Sequence, residues 1–299
     1  MQFTVLASGS SGNASLVRVG QFGVLLDVGL GPQRMADRLL SSGSSWQEVN
    51  AVILSHVHAD HWKERSLRFL RQNRIPLYCH VEHDADMTRL SSAFQVLRKN
   101  HLLHFYRCEE WVALDSGLRF RALPLSHDSG TTCGFRLECP AGSVGYATDL
   151  GVWEPDLADA LADVDILAVE FNHDVAMEKG SGRDPVLIAR VLGEMGHLSN
   201  EQAASLVREV LLRSQPGSVR HLVQLHLSRQ CNQPSLARAA AQRVLAELGV
   251  QLTIHTAQQE QAGPMLRISG EPAATVIGGK MLRTEPALYY QPMLPGWED

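Results

Sequence analysis

Ser55-His56-Val57-His58-Ala59-Asp60-His61-Trp62 sets three histidines and an aspartate within six consecutive positions, directly after the apolar run Ala51-Val52-Ile53-Leu54. Alternate residues at the end of an extended strand point to one side, so His56 and His58 can meet one cation. Asp60 and His61 fall on the turn that follows, within reach of a second cation. Imidazole nitrogens and carboxylate oxygens are donors that zinc, iron and manganese accept. The plain alternative, a polar loop entering a helix, leaves this density of donors unexplained.

Outward from this stretch the chain reads as sheet and helix in alternation. Phe3–Leu6, Ser15–Arg18 and Phe22–Leu26 are β-type runs separated by A-S-G-S-S-G-N and Gly20, which predicts a meander. Helical spacing covers 32–40 and 63–72, and the apolar pattern extends one further helix over Asp84–Lys99. Strands are predicted at 76–79, 118–125, 133–137, 144–147, 165–171 and 221–227, with helices at 185–192, 200–212 and 234–248. Ala203, Leu206, Val207, Val210 and Leu211 mark a core-facing helix stripe. Two meander-rich sheets with flanking helices fit a layered α/β/β/α sandwich better than a doubly wound parallel sheet. The expected organisation is one domain over residues 1–269 and an appended tail over 270–299.

Composition removes several classes of function. With 44% apolar and 20% charged residues in 299, and a net charge of −5, there is no global basic field for nonspecific nucleic-acid binding. No run approaches the length that spans a bilayer, and the start lacks a secretory pattern, so a cytoplasmic protein without membrane contact is expected. Five cysteines without a C-x-x-C pair argue for reduced thiols. His80, His83, His101, His104, His221 and His255 read as packing or surface residues, and Trp46, Trp62, Trp111 and Trp153 as core anchors.

The H-x-H-x-D-H stretch, with Asp27 in L-L-D-V-G, His127 in L-S-H-D, Asp149 in Y-A-T-D and His226 in Q-L-H-L-S, resembles the five-motif pattern of the metallo-β-lactamase superfamily. The resemblance implies the four-layer sandwich, with strand-end loops holding one or two divalent ions. It assigns His56, His58 and His127 to the first ion, Asp60, His61 and His226 to the second, Asp149 to both, and Asp27 to orienting the first motif from behind. A-S-G-S-S-G-N, F-N-H-D at 171–174, G-H-L-S-N-E-Q-A-A from Gly196 and L-S-R-Q-C-N from Leu227 resemble the YycJ/WalJ-like branch, which implies metal-dependent 5′→3′ exonuclease activity on DNA. This similarity spans roughly residues 1–256, and the tail is longer than the branch leads one to expect. No β-CASP insertion is evident between Asp149 and His226.

The residues also suggest roles. Two cations bridged by a carboxylate can hold a hydroxide nucleophile and stabilise both attacking and leaving oxygens of a phosphodiester. The free oxygen of Asp60 could orient or deprotonate the attacking water, which makes it the candidate general base. His197 resembles the extra histidine that ribonuclease Z-type phosphodiesterases place beside the scissile phosphate; a capping or core histidine is the alternative. Glu170, Asn172 and His173 follow an apolar strand and could support the same centre. The loop Ser8–Asn13 is either a plain turn or, through Ser10 and Asn13, a phosphate contact. Arg229 has the geometry to grip a phosphate oxygen, with Arg183 and Lys179 as further candidates. A nucleic-acid substrate is expected, with a thioesterase- or lactonase-type hydrolase of small molecules as the alternative; a non-catalytic metal sensor is disfavoured by the presence of Asp60 and His197. Choice of zinc, manganese or iron, and oligomeric state, stay open.

Overall fold

A computed structural model describes residues 1–268 and shows one pattern of strand and helix used twice. The first pass gives β1 (Gln2–Ala7), β2 (Ala14–Val19), β3 (Phe22–Leu26), α1 (Pro32–Ser41), β4 (Val49–Ile53), α2 (Glu64–Gln72), β5 (Leu77–His80), α3 (His83–Leu90), α4 (Ser92–Lys99) and β6 (Leu103–Tyr106). The second gives β7 (Trp111–Ala113), β8 (Arg119–Leu125), β9 (Thr132–Cys139), β10 (Gly142–Ala147), α5 (Pro155–Ala160), β11 (Ile166–Glu170), α6 (Val175–Lys179), α7 (Pro185–Leu192), α8 (Asn200–Arg213), β12 (His221–Leu225), α9 (Pro234–Leu248) and β13 (Thr253–Thr256), before β14 (Leu266–Arg267) returns to the first sheet.

In each pass an antiparallel meander comes first and parallel strands follow. The sheets have the orders β14-β1-β2-β3-β4-β5-β6 and β13-β12-β11-β10-β9-β8-β7. β3 to β6 are mutually parallel, as are β10 to β13. Parallel neighbours need a crossover, and helices supply most of them, so the inner strands are covered on both faces and read as unbroken apolar runs. Successive side chains then divide between two layers. Val24, Leu26, Ala51 and Ile53 pack against the opposing sheet, whereas Leu25, Val52 and Leu54 pack with Met35, Leu67 and Phe94 of the covering helices. On the other side, Leu167 and Val169 meet Leu206 and Val207 of α8 and Ala240 of α9. The result is the α/β/β/α sandwich.

Two expectations are corrected. The helix expected over Asp84–Lys99 is two helices, because Ser91 adopts an extended conformation and its hydroxyl accepts from Phe94 N at 3.0 Å, starting α4 anew. Trp111 is no core anchor: it is exposed on the edge strand β7, with the Arg119 guanidinium 4.1 Å from its ring centre. The boundary after residue 269 and the tail 270–299 lie outside the described residues. Among the described residues no helix is long and apolar enough to cross a membrane.

Candidate metal centre

Because β3, β4, β8, β10, β11 and β12 share one direction within their sheets, the loops after them gather at one edge. There stand Asp27 after β3, His56–His61 after β4, His127 after β8, Asp149 after β10, Glu170 at the end of β11, and His226 after β12. Three of these residues hold left-handed backbone: Asp27 at φ 64°, Asp149 at φ 61° and His226 at φ 54°. A non-glycine residue there costs on the order of 1 kcal/mol or more, and such strain collects where side chains must be aimed.

Three loops are laced together around the H-x-H-x-D-H turn. Asn13 N donates to Asp60 O at 2.8 Å, Val28 N to His61 O at 2.9 Å and Gly29 N to Asn13 O at 2.9 Å. A Cβ on Gly29 would lie 1.8 Å from Asp60 O, so no side chain fits there. Asp27 anchors the turn by accepting from Ser55 N and Ser55 Oγ, both at 2.8 Å, and it pairs with His61 Nδ1 at 2.7 Å. Asn13 donates its amide to Asp60 Oδ2 at 3.2 Å, and the same nitrogen lies 2.9 Å from His61 Nε2.

Side-chain donors converge in four overlapping groups, each with its atoms within 4.8 Å of one another: His56/His58/His127, His56/His61/Asp149, Asp60/His61/His226 and Asp149/Glu170/His197/His226. Asp149 joins them, with Oδ2 3.2 Å from His61 Nε2 and Oδ1 3.4 Å from His226 Nε2. The Nε2 atoms of His56 and His226 are buried and have no hydrogen-bond partner among the described residues. Polar atoms are rarely left so, whereas a cation would satisfy them. These residues therefore fit a divalent metal.

The electrostatics of the two ends differ. Burial pushes His56, His58 and His127 down from the usual imidazole value. Burial would do the same to His61, but Asp27 and then Asp149 outweigh it and hold His61 at about 10. His226 is likewise raised, against burial, by Asp149, Asp60 and Glu170. Glu170 is held at about 2, against burial, chiefly by His197, whose Nδ1 lies 2.6 Å from Glu170 Oε1. The carboxylates at this end are thus balanced by protons on histidines, which a cation would displace.

The remaining candidates are divided. His197 stacks on His226 with ring centres 5.1 Å apart, and Ser199, not His197, caps α8. Asn172 reaches His226, its amide nitrogen 3.1 Å from Nδ1 and donating to the main-chain oxygen at 2.9 Å. His173 is buried, and among the described residues its ring nitrogens have no hydrogen-bond partner and it joins none of the donor groups. Ser10 is exposed, while the neighbouring Ser8 Oγ accepts from His226 N at 2.8 Å. Arg229 is exposed and paired with Glu260 at 2.6 Å, and Arg183 is tied to the buried Glu178 at 3.2 Å; Lys179 ends α6.

Sequence reasoning missed Asp128 and Arg190. Asp128 Oδ1 lies 3.4 Å from His127 Nε2 and 3.6 Å from His58 Nε2, and Arg190 of α7 grips its other oxygen. Adjacency to His127 was the one available signal. His83, read as packing, donates from Nε2 to Thr131 O at 2.8 Å and so steadies the loop that carries both His127 and Asp128.

The model of the beta-lactamase superfamily domain matches residues 23–226, a span that holds every donor in these groups. The chain belongs to the beta-lactamase superfamily. Within that superfamily it is 24% identical over 277 residues to exodeoxyribonuclease WalJ of Streptococcus pneumoniae, covering 89% of this chain and 98% of the relative. It is 26% identical over 250 residues to exodeoxyribonuclease YycJ of Bacillus anthracis, covering 83% and 90%. Among solved structures, the metallo-beta-lactamase fold protein YhfI of Bacillus subtilis aligns with a TM-score of 0.62 at 16% identity, covering 88% of this superfamily member and 98% of YhfI.

Proposed function

We propose that this protein is a divalent-metal-dependent hydrolase of nucleic-acid phosphodiesters, a DNA exonuclease of 5′→3′ type, with two ions at the strand-end edge. The observation that carries this reading is the convergence of His56, His58, His127, Asp149, Asp60, His61 and His226 on shared positions, in a chain whose near-full-length relatives are named exodeoxyribonucleases. His56, His58, His127 and Asp149 would hold one ion, and Asp60, His61, Asp149 and His226 the other. Nitrogen and oxygen donors of this kind suit zinc, manganese and iron alike. Bound there, the metals supply Lewis acidity toward a phosphoryl oxygen and make water acidic enough to attack near neutral pH.

This chain's own side chains do the rest. Asp60, held by Asn13 at 3.2 Å, orients the attacking water and accepts its proton. Glu170 holds His197 by Nδ1 and, against burial, raises its proton affinity, so that Nε2 donates to the leaving oxygen. The Asp27–His61 contact fixes that ring for its ligand role. Glu170 Oε1, 3.5 Å from His226 Nδ1, offers that ring an acceptor in the same way. Arg229, on release from Glu260, would grip a phosphate oxygen.

Digestion of end-labelled DNA with manganese or zinc, beside a panel of thioesters and lactones, tests the reading. Metal-dependent loss of DNA from the 5′ end is the expected result. Robust thioester or lactone cleavage with intact DNA would move the activity to small molecules and leave the metal centre in place.

A further inference from the structure

The metal motif runs straight into the most basic segment of the chain. From Lys63 to Arg74, in K-E-R-S-L-R-F-L-R-Q-N-R, five of twelve residues are basic and one is acidic, although the whole chain carries a net charge of −5. α2 buries Ser66, Leu67 and Leu70, which leaves Arg65, Arg68 and Arg71 exposed on its outer side, with Arg74 exposed just beyond its end. The lone acid does not neutralise this face. Glu64 accepts from Ser91 and Ser92 hydroxyls at 2.5 and 2.7 Å and from Ala93 N at 3.1 Å, and of the arginines only Arg68 pairs with it, at 3.2 Å. No ion pair holds Arg65, Arg71 or Arg74 among the described residues. By contrast α8 interleaves both signs, with Glu201, Arg208, Glu209 and Arg213 paired.

Position adds to charge. β4 and β5 are parallel, so α2 must run back from the metal edge to the far edge of the first sheet, a length of about 13 Å. Lys63 fixes its start by donating to Ala59 O, inside the metal motif, at 2.6 Å. Along its flank α2 and α4 enclose a groove of about 240 Å³ lined by Arg68, Arg71, Gln72, Ser92, Ala93 and Val96. Guanidinium and amide groups there suit phosphate oxygens.

We propose that the outer face of α2 is a track for the phosphate backbone of the nucleic-acid strand whose end lies at the metal centre. The strand leaves the site along Arg65, Arg68 and Arg71 and not toward α8 and α9. This inference rests on the nuclease reading for its substrate, but its test does not depend on turnover.

The test uses the metal-loaded full chain and a labelled single-stranded oligonucleotide with uncleavable phosphorothioate linkages, followed by fluorescence anisotropy over a range of salt. The triple variant Arg65→Gln, Arg68→Gln, Arg71→Gln is compared with wild type and with Arg208→Gln, Arg243→Gln on the opposite flank. Three lost contacts lower the slope of log affinity against log salt by about 2. The KM for cleavable DNA rises about a hundredfold at about 0.1 M salt, while hydrolysis of bis(p-nitrophenyl) phosphate, too small to reach α2, and the melting temperature stay at wild-type values. A triple variant that binds with the wild-type slope, or a wild type that binds no DNA, overturns the track. A wild type that binds through these arginines yet digests no DNA overturns the nuclease reading and leaves the track standing.

Discussion

The two ends of the donor cluster solve the same problem with opposite charge. His56, His58 and His127 are driven toward the neutral form by burial, so their lone pairs are ready for a cation. Around His61 and His226, carboxylates instead hold protons on the rings. A cation at the first end would meet pre-aimed neutral donors, whereas one at the second would meet carboxylates beside rings that must first give up their protons.

Asp149→Ala would break the comparison outright, since it removes the carboxylate common to both ends. The expected outcome is loss of bound metal by elemental analysis and loss of all hydrolysis; His56→Ala and Asp60→Asn, by contrast, are expected to lower stoichiometry while also abolishing turnover. His197→Ala should keep its metals yet lose about 10² to 10⁴-fold in kcat. Glu170→Gln should show a smaller loss, together with a downward shift of the pH at which His197 gives up its proton.

Lowering pH separates the ends. Calorimetric titration in buffers of different ionisation enthalpy should find protons released mainly by the ion at Asp60, His61 and His226, so that metal affinity falls more steeply there with acid. Equal proton release from both ions would refute the assignment. Metal removal at neutral pH should lower the melting temperature by about 5 to 10 °C, if each ion is present at about 100 times its Kd. The smallest effect lies behind the first end. Burial holds His83 at about 4, against a free value of 6.5. Its unfolded form therefore takes up the proton first as pH falls, and the associated stability, full above 6.5, is lost between 6.5 and 4. His83→Gln should flatten the fall in melting temperature over that window; an unchanged slope would deny His83 this part.

How legible each part was follows from how local it is. His56, His58, Asp60 and His61 declare themselves within six positions, and strands buried on both faces appear as plain apolar runs. Pro234–Leu248 was readable because proline starts it and Gly249, at φ 64°, stops it. The break at Ser91 was hidden because apolar spacing continues through it. Asp128 and Arg190 were hidden for another reason: they are 62 positions apart, and nothing in either segment announces the pairing. Trp111 misled because aromatic residues are usually buried, while an edge strand can shelter one beneath arginines instead.

Both main donor groups straddle the sandwich. His56 and His58 come from the first sheet and His127 from the second; Asp60 and His61 come from the first and His226 from the second. Neither sheet alone completes either three-residue set, so a cation bound there works as a rivet between them. Such an ion would resist the sheets parting at this edge. Backbone hydrogen exchange at the ends of β4 and β12 should therefore slow when metal is bound, a reading of that opening in the folded protein.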